Sequence, residues 1–152
     1  MPDRPRLQKQ ETEYSCGPAC LRMVLEAYGL SKTEGELREL TNCTVLGTTA
    51  WDVVLAARAL GFPSTRKYTV NLEELREQII SGLYPIVFVR ARLRLDLRRQ
   101  EHYAVVTAAS ETQVELLDPW RGECSIPTEE FLQDWSRPVS DPPRGLTIVV
   151  EV

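Results

Sequence analysis

One histidine stands in the 152-residue sequence, His102, so any mechanism that needs an imidazole near neutral pH has a single candidate. It opens the run His102-Tyr-Ala-Val-Val after the charged stretch Arg98-Arg-Gln-Glu, which places it at the edge of a strand rather than in mid-core. A lone histidine is more often a bystander than a catalyst. Cys16 changes that weighing. The segment Ser15-Cys-Gly-Pro-Ala-Cys-Leu puts a thiol in the first turn of a helix, with Gly17 and Pro18 in the same turn. Unpaired backbone N–H groups and the positive end of the helix dipole favour a thiolate there, and the thiolate is the species that attacks a carbonyl carbon. Gly17 would let a substrate backbone come close. Cys20, one helical turn further on, reads as a small buried apolar residue, and Cys43 and Cys124 take the same reading. Zinc is a poor competitor for these side chains. The cysteines are separated by three, twenty-two and eighty residues, with no Cys-x-x-Cys pair.

Positioning a helix-start thiol against a strand histidine requires both element types, and the sequence supplies them in order. Apolar Ala19, Cys20, Met23, Val24 and Ala27 recur at helical spacing over Cys16 to Tyr28, and Gly29 follows as a helix terminator. Ser31 with Glu34, Thr49 with Asp52 and Asn71 with Glu74 each make a capping pattern, which predicts four helices in the first eighty residues, the third ending at Gly61. From Pro85 the pattern turns β-rich, with strands expected at Ile86 to Val89, His102 to Ala108, Gln113 to Leu117 and Leu146 to Val152. Turns at Ser110 and at Pro119 to Gly122 separate them, and a short helix is expected over Thr128 to Trp135. Helices first and mostly antiparallel strands afterwards predict an α+β fold, a single domain over residues 1–152, with the active site between the two parts.

Composition excludes other classes. With 43% hydrophobic and 26% charged residues, the chain is long enough to bury a core without disulfide or metal staples. Eighteen Lys and Arg against twenty-two Asp and Glu leave a net charge of −4, without the basic excess that nucleic-acid binding requires. No apolar run approaches the ~20 residues of a membrane span, and Met1 to Gln10 has no signal-peptide core. A cytoplasmic protein with free thiols is expected. The basic stretch Arg90 to Arg99 alternates like a hairpin with a charged face, a solvated ribbon or an arm that attracts acidic residues.

Several segments, taken in order, resemble one family: the papain-like cysteine peptidases that form the N-terminal domain of bacteriocin-exporting ABC transporters and cleave leader peptides after a double glycine. Cys16-Gly-Pro-Ala-Cys-Leu-Arg-Met is similar to its nucleophile segment, and Gln10, six positions upstream, to its oxyanion-hole glutamine. Tyr28-Gly29, Gly47-Thr48-Thr49 with Ala56-Ala57 and Leu60-Gly61-Phe62, and Phe131 with Trp135 resemble its helical landmarks. His102-Tyr-Ala-Val-Val resembles its histidine strand, and Asp118-Pro119 with Gly122 its Asp-Pro turn.

The resemblance implies a papain-like fold and Cys-His-Asp catalysis. Cys16 would be the nucleophile, His102 the base and later acid, Asp118 the residue that fixes the imidazole, and Gln10 the donor to the oxyanion. It implies a leader-like peptide substrate cut after small residues and no metal or cofactor; with the given chain ending at Val152, three readings stay open: a free-standing peptidase, a partner of a separate ABC transporter subunit, or a relative with a different substrate. Two other classes remain open from the residues: a peptidase-like domain that binds leader-bearing peptides without cutting them, and a transferase whose acyl-enzyme is intercepted by an amine.

Overall fold

The computed structural model describes residues 1–91, 100–135 and 141–152. The hairpin expected of Arg90 to Arg99 falls largely on residues 92–99, outside the described residues.

The first helix, α1 (Cys16–Ala27), begins at Cys16 and is closed by Tyr28, with Gly29 at φ +90° in the terminator position. The second, α2 (Glu34–Leu40), starts later than its sequence suggested. Thr33, not Ser31, is the N-cap, and it forms a reciprocal capping box with Glu36. Glu34 is thereby the first helical residue rather than the reciprocal partner, and its side chain is buried. Thr49 caps α3 (Ala50–Ala59) and Asn71 caps α4 (Leu72–Ile80), both as expected. The last helix, α5 (Thr128–Trp135), has the expected bounds.

Among the described residues six strands form one sheet: β1 (Arg66–Asn71), β2 (Ile86–Ala91), β3 (Gln100–Ala109), β4 (Gln113–Asp118), β5 (Gly122–Pro127) and β6 (Arg144–Val149). They lie in the order β1-β6-β2-β3-β4-β5, with every pairing antiparallel. Two of these strands lie where no strand was expected. In β1 the run Tyr68-Thr69-Val70 is only three residues long, set between Arg66-Lys67 and Asn71, and β5 alternates with only weakly apolar residues, so neither carries the longer apolar run that marks a strand. Because β1 joins β6, the helical half and the sheet half are interleaved and not strictly sequential.

Helices cover both faces. On one, Leu21, Val24 and Leu25 of α1 and Val53 and Ala57 of α3 pack with Ile86, Val105, Leu117 and Ile148. On the other, Leu75 of α4 and Phe131 and Trp135 of α5 pack with Val87, Ala104, Val106, Val114 and Leu116. Neighbouring residues of β3 thus enter different cores, which is why its sequence reads as a continuous apolar run. Seating α1 against β3 brings the start of the helix beside the start of the strand. Among the described residues, no helix is long and apolar enough to cross a membrane.

Candidate active site

Cys16 is the first residue of α1, and the side chain of its N-cap, Ser15, makes no capping bond. Ser15 Oγ instead accepts from Thr12 N at 3.1 Å and Thr12 Oγ1 at 2.7 Å. The N–H groups of the first turn therefore keep their positive potential undiluted by a side-chain oxygen. Gly17 is required by a close approach: a Cβ there would stand 2.4 Å from Thr48 Cγ2 and 3.4 Å from the Tyr103 ring. Tyr103 OH in turn donates to Thr48 O at 3.1 Å, fixing that wall. Beside it opens a groove of about 450 Å³ whose lining includes Thr48, Phe88, Tyr103 and Leu146.

His102 is the third residue of β3, paired with Val89 of β2, and is buried at 5% exposure. It is therefore more enclosed than the strand edge expected from its charged prefix, because the strand starts two residues earlier at Gln100. Its Nε2 lies 2.7 Å from Asp118 Oδ1, and its ring also hydrogen bonds Cys16, which leaves Nδ1 as the nitrogen facing the sulfur. Burial alone would lower the His102 pKa, but the bonds to Asp118 and Cys16 outweigh it and raise the value to about 9.

A β-bulge makes the His102–Asp118 pair possible. Near the hairpin, Ala109 faces Val114 and Ala108 faces Glu115, whereas beyond the irregularity Val106 faces Leu116 and Val105 faces Leu117. Thr107 is the extra residue. Continued one step, the second register sets Asp118 opposite Ala104, two residues from His102 and so on the same face. The first register, carried through unbroken, would set Asp118 opposite Val105 and turn it away from His102. Bulges serve to re-aim side chains in this way.

Asp118 is fully buried, and its carboxylate is saturated with donors. Besides His102, Oδ1 accepts Trp120 N at 2.8 Å and Arg121 N at 3.0 Å, while Oδ2 accepts Arg121 Nε at 2.9 Å. Burial would push its pKa up, but His102 and Arg121 hold it well below the usual carboxylate range. Gly122 at φ +103° ends this turn and starts β5.

Gln10 reaches the same turn from the N-terminal segment. Its backbone N–H donates to Pro119 O at 2.8 Å and its Nε2 to Thr12 O at 2.7 Å. Among the described residues its Oε1 is buried without a partner, and Nε2 meets one acceptor, Thr12 O, for its two hydrogens. Gln8 is committed elsewhere, to Glu26 near the far end of α1. The structure thus brings Gln10 to the Asp-Pro turn and Cys16, His102 and Asp118 into one line of hydrogen bonds.

Residues 5–139 match the Peptidase C39 family. The chain belongs to that family. This C39 cysteine peptidase is similar in structure to the peptidase domain of Streptococcus ComA, a bi-functional ABC transporter involved in a quorum-sensing pathway: 27% identity, TM-score 0.71, covering 97% of this chain and 98% of that one. It shares the fold of a double glycine motif protease from an AMS/PCAT transporter, solved in complex with its leader peptide, at 22% identity and TM-score 0.74 over 97% of this chain and 91% of that one. In sequence it is 28% identical over 127 residues to the lactococcin-G-processing and transport ATP-binding protein LagD of Lactococcus lactis, covering 84% of this chain but 17% of LagD.

The C39 chain also shows groups that its sequence did not single out. Arg121 clamps Asp118 through both its backbone and its guanidinium. The backbone half was legible, since an Asp before Pro-Trp-Arg-Gly can accept the N–H groups two and three residues on. The guanidinium half depends on the direction of a long side chain, and no spacing announces it. The other thiols lie off this line. Burial pushes Cys20 well up, with Cys16 and Asp118 adding to it, and burial likewise leads the upward shifts of the half-buried Cys43 and Cys124.

Proposed function

We propose that this peptidase hydrolyses a leader-like peptide after a double-glycine or other small-residue site, with Cys16 as nucleophile, His102 as proton carrier, Asp118 as its anchor and Gln10 as oxyanion donor. The observation that carries the reading is the continuous line Cys16–His102–Asp118, in which the thiol stands at a helix start and the imidazole is bonded at both ends. With its raised pKa, His102 is an imidazolium at neutral pH, giving one N–H to Asp118 and the other to the Cys16 sulfur.

The sulfur attacks the scissile carbonyl carbon, and the carbonyl oxygen becomes an oxyanion. The free N–H of Gln10 Nε2 and the uncapped first-turn N–H groups of α1 stabilise it; one such donor is typically worth ~2.7–4 kcal/mol of barrier. His102 passes its Nδ1 proton to the leaving amine as the C–N bond breaks, which leaves a thioester on Cys16. Water then gives a proton to His102 while its oxygen attacks the thioester, and the acid product departs as the thiolate and imidazolium are restored. Ionised Asp118 keeps the ring oriented throughout.

The preference for small residues rests on the likeness to the double glycine motif protease. The adjoining groove, with Phe88, Tyr103 and Leu146, offers an apolar surface for the leader. By analogy with LagD, a processing and transport protein, and with the leader-bound double glycine motif protease, we read the substrate as a leader-bearing precursor, the partner as a separate transporter subunit and the location as the cytoplasm.

The test is incubation with double-glycine leader peptides followed by mass spectrometry. A single cut after the second glycine is expected, with hydrolysed and not amine-capped products, and none with Cys16→Ala. Intact peptide with the wild-type enzyme, or equal cutting by Cys16→Ala, would overturn the proposal.

A further inference from the structure

Among the described residues the buried acidic side chains are Asp118 and Glu34; Glu34 is at 1% exposure, and the reaction above makes no use of it. Burying a carboxylate is costly, and such a pair often contributes less to stability than apolar residues of the same volume would. Its partners show what it does. Glu34 Oε1 accepts the backbone N–H of Glu11 at 2.9 Å, and Oε2 lies 3.5 Å from Arg38 Nε one turn along α2. Arg38 and Arg22 also reach the Glu11 carboxylate, at 3.5 and 3.9 Å.

Glu11 is the residue after Gln10. Residues 10–12 belong to no helix or strand, so no ladder fixes them. Their backbone N–H groups are held instead by Gln10 N to Pro119 O, Glu11 N to Glu34 Oε1 and Thr12 N to Ser15 Oγ, and their side chains by Gln10 Nε2 to Thr12 O, Thr12 Oγ1 to Ser15 Oγ and the Arg22 and Arg38 contacts with Glu11. From α2, Glu34 holds the strap's backbone, whereas Arg38 holds only the Glu11 side chain. We infer that Glu34 is a positioning residue for oxyanion stabilisation: from inside the helical core it pins the N-terminal strap so that the Gln10 amide is held for the transition state. The inference rests on the reading of Gln10 as the oxyanion donor.

A positioning role separates two readouts that a structural role would move together. Peptide hydrolysis passes through an oxyanion, whereas alkylation of Cys16 by iodoacetamide does not. Glu34→Leu removes the acceptor and fills the space with apolar volume. It is expected to lower kcat about tenfold, part of the ~10²–10³ expected for losing the donor itself, with KM and the Cys16 alkylation rate unchanged. Glu34→Gln, which keeps an oxygen for Glu11 N–H, is expected to restore kcat. In a Gln10→Ala background Glu34→Leu should cost nothing further, since the group it positions is gone. Parallel losses of kcat and alkylation rate, or full additivity with Gln10→Ala, would overturn the inference. Should Glu34→Leu fail to fold, Glu34→Gln decides: wild-type kcat supports the acceptor role, and a tenfold loss contradicts it. A Gln10→Ala enzyme with wild-type kcat would instead refute the reading of Gln10.

Discussion

The two sides of the cleft are held by different means. His102 and Asp118 sit on adjacent strands, where a ladder, a bulge at Thr107 and a saturated carboxylate fix them. Gln10 sits on a strap outside regular structure, held by single hydrogen bonds to Pro119, Thr12 and, through Glu11, to Glu34. A ladder spreads its restraint over many backbone bonds, so no one side chain is decisive. A strap concentrates the restraint, so individual substitutions can loosen it without unfolding the protein. Catalytic geometry should accordingly be robust on the sheet side and fragile on the strap side.

The strap side gives the larger expected effect. Gln10→Ala should lower kcat by ~10²–10³ with little change in KM, as for a contact made mainly in the transition state. Gln8→Ala, which loses only a bond to Glu26, should be nearly silent in steady-state kinetics. A larger defect in Gln8→Ala would show that the wrong glutamine has been assigned and would erase the contrast between strap and ladder.

The sheet side is sharpened by pH. His102 is raised from 6.5 to about 9, so the fold favours its protonated form. The stabilisation this brings is fully present below 6.5 and is lost as pH rises through about 9. The same deprotonation removes the proton needed by the leaving amine. A pH profile of kcat/KM should therefore bend into an alkaline limb near 9 and fall ~tenfold per unit beyond it, whereas thermal stability should decline earlier, between 6.5 and about 9, and level off above. An alkaline limb near 6.5 would mean that the bonds to Asp118 and Cys16 do not form in solution.

The same contrast explains what could be read in advance. Helix starts at Cys16, Thr49 and Asn71 were legible because caps and apolar spacing are local. At Ser31 the pattern misled, because Ser31-x-x-Glu34 and Thr33-x-x-Glu36 both fit a capping box and the choice depends on which glutamate the core admits. β1 and β5 escaped notice because as edge strands they need few apolar residues. Cys16 and His102 could be picked out by chemistry alone, Asp118 and Gln10 only through family resemblance. Nothing in Val105-Val-Thr-Ala-Ala signals a bulge, neither glycine nor proline, yet on that extra residue depends the face to which Asp118 turns. Arg121 and Glu34 act through side chains that cross between elements, and sequence spacing does not encode such crossings.

In the proposed reaction a thioester forms on Cys16. Mixing the enzyme with a double-glycine leader peptide, quenching in acid within the first turnover and mapping the digest by mass spectrometry tests it directly. An adduct of the N-terminal leader fragment on the peptide that carries Cys16, absent in Cys16→Ala and accumulating without decay when hydrolysis is slowed, is the required result. Turnover with no covalent adduct, or an adduct on Cys43 or Cys124, would contradict it.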